Sequence, residues 1–274
     1  MKTHALAADV GGTNIRAALV DRQGAMSHRV SVPTMAHLGR DASVRRVLEA
    51  LEGVLANAEP GSVVGAGLSV AGPTDPKTGV MHNPPNLPGW DGFTIVPLVE
   101  EKLALQTSVA NDATLAALSE HSYGAGRGYR HVLYVTVSTG IGGGMVVDGK
   151  LYAGGRGLAG EIGHMVIVPG GPECNCGGRG CLEALSSGTA VARIARERLQ
   201  AGDVSAILDL TGGRPERVTA PVVLEAARAG DTTAQSIISE ASANLGIGLA
   251  NLILAFDPEV IVIGGGMSES LDLL

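Results

Sequence analysis

Apolar and polar positions along the chain change period repeatedly, and each change marks an element. Apolar residues run from Ala5 to Val10 into Gly11-Gly12, and a second apolar run at 15–20 follows, so the start reads as strand, glycine bend, strand. The plan recurs at Val132–Val137, where a strand leads into a glycine turn at 140–144, a short strand at 145–147 and a further turn at Asp148-Gly149. Two such hairpins about half a chain apart predict a duplicated domain. Between them the spacing predicts a helix over 42–57, a buried strand Val63–Val70, a proline-rich loop over 72–89, a helix over 95–102, a strand over 107–110 and a helix starting at Asn111-Asp112. Further on, 187–200 and 221–228 read as helices. Thr232–Phe256 reads as a long amphipathic helix stopped by Asp257-Pro258, and VIVIGGG as a last strand closing on glycines. Strands and helices alternate, which predicts an α/β fold in two lobes with a ligand cleft between them: 1–111 as the smaller lobe and 112–274 as the larger.

Composition narrows the function classes. With 274 residues, 45% of them apolar, the chain can bury a substantial core. A net charge of −7 and no long basic stripe argue against nucleic acid as a partner. The first residues lack the pattern of a signal peptide, and no stretch reads as a membrane span, so a cytoplasmic protein without a membrane partner is expected. The 40 glycines cluster after apolar runs, as in backbone-lined ligand sites.

Those clusters carry the first candidate chemistry. In Asp9-Val-Gly11-Gly12-Thr13-Asn14-Ile-Arg16 a carboxylate at a strand end precedes exposed N–H groups, a hydroxyl and a guanidinium. Such a loop can hold polyphosphate while Asp9 addresses its magnesium through water. The same residues also make an ordinary β-hairpin in which Asp9 only caps a turn. The loop Ser138-Thr139-Gly140-Ile-Gly142-Gly143-Gly144 could cradle phosphate in the same way, and two such loops together favour phosphate over the plain hairpin. Gly264-Gly265-Gly266 suits close approach of an adenine or ribose, or a simple strand-to-helix turn. Neither a Walker loop nor a dinucleotide fingerprint is present, because both main glycine bends precede strands.

All three cysteines, Cys174, Cys176 and Cys181, sit in one glycine-rich loop shortly after His164. One imidazole and three thiolates fill a tetrahedral zinc shell and leave no position for a catalytic water, so the site reads as structural. The alternative is a trio of buried or redox cysteines, against which Gly177, Gly178 and Gly180 supply the tight turns of a chelating loop. Glu161 and Glu183 bracket the loop; singly each would read as a solvated charge, but fixed by a metal they would serve as acceptors for sugar hydroxyls, with the second nitrogen of His164 beside them. Asn111-Asp112 fits a helix N-cap. Facing a phosphate, Asp112 would instead be the general base that takes the proton of an attacking alcohol. Asn86, in Asn83-Pro-Pro-Asn86-Leu-Pro-Gly-Trp90, is a further hydroxyl partner, and Trp90 reads as a packing residue.

Together DVGGTNIR, AGP at 71–73, NPPNLPGW, VANDA, STGIGGG, GEIGH, CNCGGRGCLE and IGGG resemble the ROK family of bacterial sugar kinases and related repressors over nearly the whole chain. The resemblance implies a duplicated actin-like (ribonuclease H-like) ATPase fold. It implies transfer of the γ-phosphate of ATP, with Mg2+, to the 6-hydroxyl of a hexose, with Asp112 as base. Sugar contacts are implied at Gly72, Asn86, Asn111, Asp112, Glu161, His164 and Glu183. ATP contacts are implied at Asp9, Gly11, Gly12, Thr13, Asn14, Arg16, Thr139, Gly140, Gly142, Gly265 and Gly266, and zinc at His164, Cys174, Cys176 and Cys181. Glucose is the expected substrate, with N-acetylmannosamine, N-acetylglucosamine and fructose as alternatives, and a non-catalytic sugar-binding regulator as the competing class. Polyphosphate-using relatives generally lack the zinc loop, which favours ATP. Family repressors carry a helix-turn-helix before the first glycine motif, whereas eight residues precede Asp9 here. Relatives also run several tens of residues beyond IGGG, so the C-terminal end is expected to be incomplete, and a homodimer is expected.

Overall fold

The computed structural model describes residues 3–155, 157–270 and 272–273, and the chain forms two compact α/β units. Met1–Ser119 with Ala153–Ala159 make the first, and Glu120–Tyr152 with Gly160–Leu274 the second. The first unit therefore runs past the boundary expected at 111/112 and takes in the early turns of the helix that starts there.

The first unit carries β1 (His4–Val10), β2 (Asn14–Asp21), β3 (Met26–Pro33), α1 (Arg40–Leu55), β4 (Val63–Val70), α2 (Val96–Leu103), β5 (Thr107–Asn111) and the start of α3 (Asp112–Tyr123). Its sheet has the order β3-β2-β1-β4-β5, an antiparallel meander to which β4 and β5 add in parallel. Alternation along β1 buries Leu6, Ala8 and Val10, and helical spacing along α1 buries Val44, Val47, Leu51 and Val54 in the same core. The proline-rich loop docks on α1 through Trp90. Its ring is fully buried, its Nε1 donates to Ser43 Oγ at 3.0 Å, and Phe93 meets it edge-on at 5.3 Å while Arg40 lies over the Phe93 ring. Trp90 is thus the packing residue that the sequence suggests.

The second unit holds β6 (Val132–Val137), β7 (Ile141–Val147), β8 (Lys150–Tyr152), α4 (Leu182–Ser186), α5 (Gly188–Gln200), α6 (Ala206–Leu210), α7 (Ala220–Arg228), α8 (Thr232–Phe256) and β9 (Val260–Gly264). The order β8-β7-β6-β9 repeats the meander-plus-parallel plan of β3-β2-β1-β4, the duplication that an actin-like fold requires. Two expectations change here. The glycine turn expected over 140–144 is shorter, because β7 begins at Ile141 and Gly142, Gly143 and Gly144 pair with Thr136, Val135 and Tyr134. Contrary to the expectation that no stretch approaches a membrane span, α8 is long and apolar enough by length and composition to cross one. Its buried positions Ala234, Ile237, Ile238, Ala241, Leu245, Gly248 and Leu252 form one stripe at helical spacing, as in a core helix packed on α4, α5 and α7.

Candidate active site and metal centre

In the first unit the candidate residues gather where parallel strands end. Asp9 on β1 is opposite Ser69 on β4, and Val70 is opposite Asn111 on β5, so the C-terminal edges of three strands present Asp9, Ser69 and Asn111-Asp112 together. Asp9 accepts from Arg16 Nη1 at 3.0 Å and from Ser69 Oγ at 3.2 Å. The helix cap falls to Asn111, whose Oδ1 accepts the N–H of Thr114 at 3.1 Å, while its Nδ2 donates to Gly72 O and to Asp112 Oδ1. Asp112 is therefore the first helical residue and is not needed as the cap. It keeps a solvent-accessible face, yet protein crowds its carboxyl closely enough that burial, reinforced by the charge of Asp9, holds its pKa above the usual carboxylate range. An accessible carboxylate of raised basicity at a strand edge suits proton abstraction from an alcohol.

Gly11 and Gly12 form the hairpin bend, with Gly11 N–H donating to Asn14 O at 3.0 Å and buried Thr34 donating to Gly11 O. Gly12 has a further reason to be glycine. A Cβ there would lie 2.6 Å from Asn86 Cβ and 2.7 Å from Asn86 O, so its bareness lets the Asn86 loop close over the bend. Thr13 and Asn86 stay exposed and Asn14 is half-buried. Gly72 takes φ +142°, and its carbonyl is held by Asn111 and by Thr74 Oγ1.

In the second unit Ser138-Thr139-Gly140 turns at the end of β6. The N–H of Gly188 donates to Ser138 O at 2.8 Å, and the N–H and hydroxyl of Thr189 donate to Thr139 O. Gly265, at φ +91°, crosses the same end of β6, where a Cβ would fall 2.5 Å from Val137 O, and Gly266 follows it. Thr139, Gly140, Gly265 and Gly266 thus share one edge. Gly142, also expected in the phosphate cradle, lies in the β6–β7 ladder just past the turn, where it is opposite Thr136.

The ligand atoms of His164, Cys174, Cys176 and Cys181 all lie within 4.8 Å of one another. His164 Nδ1 is 3.6 Å from Cys174 Sγ, and Cys176 Sγ is 3.7 Å from Cys181 Sγ. Those two spacings match the donor–donor edges of a tetrahedral shell with legs of about 2.0–2.3 Å, the size of a four-coordinate cation with N and S ligands. Gly177 and Gly180 make the turns with φ of +86° and +74°, and a Cβ on Gly178 would touch both Cys176 and Cys181 sulfurs at 3.4 Å. Burial pushes the Cys181 thiol up to about 12 and raises Cys174, while the Gly178 N–H lowers Cys176. His164 Nε2 faces Glu161 Oε2 at 3.9 Å, and Glu183 Oε2 accepts the N–H of Ile141 at 2.9 Å.

The ROK family profile matches residues 5–274. The chain belongs to the ROK family. A curated relative, the glucokinase of Thermotoga maritima, is 36% identical over 273 residues, which span 100% of this chain and 85% of that protein. Among solved structures, the ROK hexokinase of Thermus thermophilus superposes with a TM-score of 0.84 at 38% identity, covering 99% of this chain and 86% of that one. The ROK glucokinase of Streptomyces griseus, solved with glucose and AMPPNP, gives 0.83 at 34% identity, covering 98% and 85%.

Within this ROK chain the sequence-predicted residues fall into two sets. Asp9, Gly11, Gly12, Thr13, Asn14, Arg16, Gly72, Asn86, Asn111 and Asp112 belong to the first unit, and Thr139, Gly140, Glu161, His164, the cysteines, Glu183, Gly265 and Gly266 to the second. Sequence reasoning missed Ser69, which orients Asp9, and Thr34, which pins the bend. A lone hydroxyl in the otherwise apolar and glycine strand VVGAGLSV was the available signal for Ser69.

Proposed function

We propose that this chain is an ATP-dependent hexose kinase that converts glucose to glucose 6-phosphate. The observation that carries this reading is the state of Asp112: freed from capping by Asn111, raised in basicity by burial and by Asp9, and set at the strand edge of a chain whose solved and curated relatives include glucokinases. Asp112 takes the proton of the sugar 6-hydroxyl as its oxygen attacks the γ-phosphorus, and ADP leaves. Asn86, Asn111, Glu161, His164, Glu183 and the backbone at Gly72 bind the other hydroxyls. The bend from Gly11 to Arg16, with Thr139, Gly140, Gly265 and Gly266, binds the nucleotide. Asp9 would hold the Mg2+ that comes with ATP, which would supply neutralisation of the phosphate charge.

His164, Cys174, Cys176 and Cys181 would hold a structural zinc, because spacings of 3.6 and 3.7 Å fit its shell and four protein donors would leave no open ligand position. Three cysteines without a disulfide fit a reducing compartment, which supports a cytoplasmic enzyme, and glucose 6-phosphate as product is what supports a place in glycolysis. A homodimer is part of the same reading, and sedimentation velocity checks it. A coupled assay with MgATP across glucose, N-acetylmannosamine, N-acetylglucosamine and fructose tests the substrate: glucose should give the highest kcat/KM, and no turnover with any of the four would overturn the kinase reading.

A further inference from the structure

Glu183 makes a bond that a sugar ligand does not need. Its Oε2 accepts the N–H of Ile141 at 2.9 Å, at the point where the Ser138-Thr139-Gly140 turn enters β7. A Cβ on Gly140 would overlap that same oxygen, so the turn closes directly on the carboxylate. The other oxygen, Oε1, faces Cys174 Sγ at 4.0 Å. Glu183 itself is fixed from behind. It lies in the first turn of α4, two residues after Cys181, and Leu182 between them is fully buried against Gly248 of α8, with its N–H donating to Met165 O at 2.9 Å. One residue therefore spans from the Cys/His cluster to the turn that the proposed function gives to the nucleotide.

We infer that Glu183 is a positioning residue for the nucleotide turn, a strut through which the metal loop holds the Ile141 N–H and the Gly140 bend in their binding shape. This rests on the kinase reading for what the turn binds, but the strut is observable without it. Oε2 serves Ile141, and Oε1 remains as an acceptor for a sugar hydroxyl, so the two roles separate by substitution. Gln at 183 keeps a neutral oxygen for Ile141, Ala removes it, and Gly140→Ala pushes the intact carboxylate off the turn. Because the carboxylate is the far end of a flexible side chain, Gly140→Ala displaces it without forcing backbone apart.

Two measurements test this, amide exchange at Ile141 and the Kd of MgAMPPNP without sugar. Glu183→Ala and Gly140→Ala should each speed Ile141 exchange and weaken MgAMPPNP about tenfold, the scale of one hydrogen bond to a charged group. Glu183→Gln should restore most of both while still losing glucose affinity. In the Glu183→Ala background, Gly140→Ala should add almost nothing, since the atom it displaces is gone. Chelation of the bound metal should also speed Ile141 exchange. Unchanged Ile141 exchange in Glu183→Ala or after chelation overturns the strut, as does an equal effect of Gly140→Ala in both backgrounds. A wild-type protein that protects Ile141 through Glu183 yet does not bind MgAMPPNP overturns the kinase reading and leaves the strut standing.

Discussion

Replacing Asp112 by Asn separates chemistry from structure at the proposed base. The amide keeps an oxygen where Asp112 Oδ1 now accepts the N–H of Ala113 at 2.8 Å and the amide of Asn111 at 2.9 Å, so the start of α3 should keep its geometry. It removes a charge that burial and Asp9 oppose. A carboxyl whose folded pKa lies above its unfolded value contributes stability below the unfolded pKa, and that contribution is lost as pH rises through the folded pKa. At neutral pH the variant should therefore unfold at the same Tm as wild type or slightly higher. Turnover behaves oppositely, because a positioned general base contributes about 10²–10⁴-fold, or roughly 3–5 kcal/mol of barrier. In wild type, kcat should fall on the acid side with a midpoint above the ordinary carboxylate range, since Asp112 must be ionised to act. In Asp112→Asn that limb should vanish together with most of the rate, while glucose affinity by calorimetry stays within a few-fold. A variant that keeps more than about a tenth of wild-type kcat would refute the assignment of the base. Loss of rate with an equal loss of Tm would mean instead that Asp112 holds the fold.

Three further outcomes follow from the geometry. Cys176→Ala removes the exposed member of the cluster, and metal content by mass spectrometry should drop with glucose affinity; retention of both would break the link between the metal loop and the sugar. Gly12→Ala drives a Cβ into the Asn86 backbone, so the Asn86 loop must shift and glucose KM should rise about tenfold or more, read by steady-state kinetics. Trp90→Phe removes the bond to Ser43 and part of a buried ring, and should cost about 1–3 kcal/mol in urea denaturation, with weaker glucose binding as the Asn86 loop loosens.

The elements read correctly from sequence are those whose own side chains fix the period: β4 and α8 begin and end where alternation and helical spacing place them. The cysteine cluster was legible for a different reason, since four ligands so close in sequence need only local turns to converge. The missed elements depend on distant partners. In β3, MSHRVSVP has an exposed and mostly polar face, and only pairing with β2 makes it a strand. The glycines of β7 argue locally for a loop, yet Gly143 is required because a Cβ would strike Tyr134 O and Ile162, so packing overrides propensity.

The same division runs through the site. On local grounds Asn111-Asp112 reads as a helix cap before it reads as a base, and the dipeptide cannot say which residue caps. The parallel register does, because β5 ends at Asn111, opposite Val70, and spends that side chain on Thr114 and Gly72. What is left for Asp112 is an oxygen pair near Asp9, and Asp9 is near only because β1 and β4 run parallel and end together. The basicity proposed for catalysis thus comes first from burial of the carboxyl and then from the charge of Asp9, a residue about a hundred positions away that strand order brings near, and no local motif could have stated either.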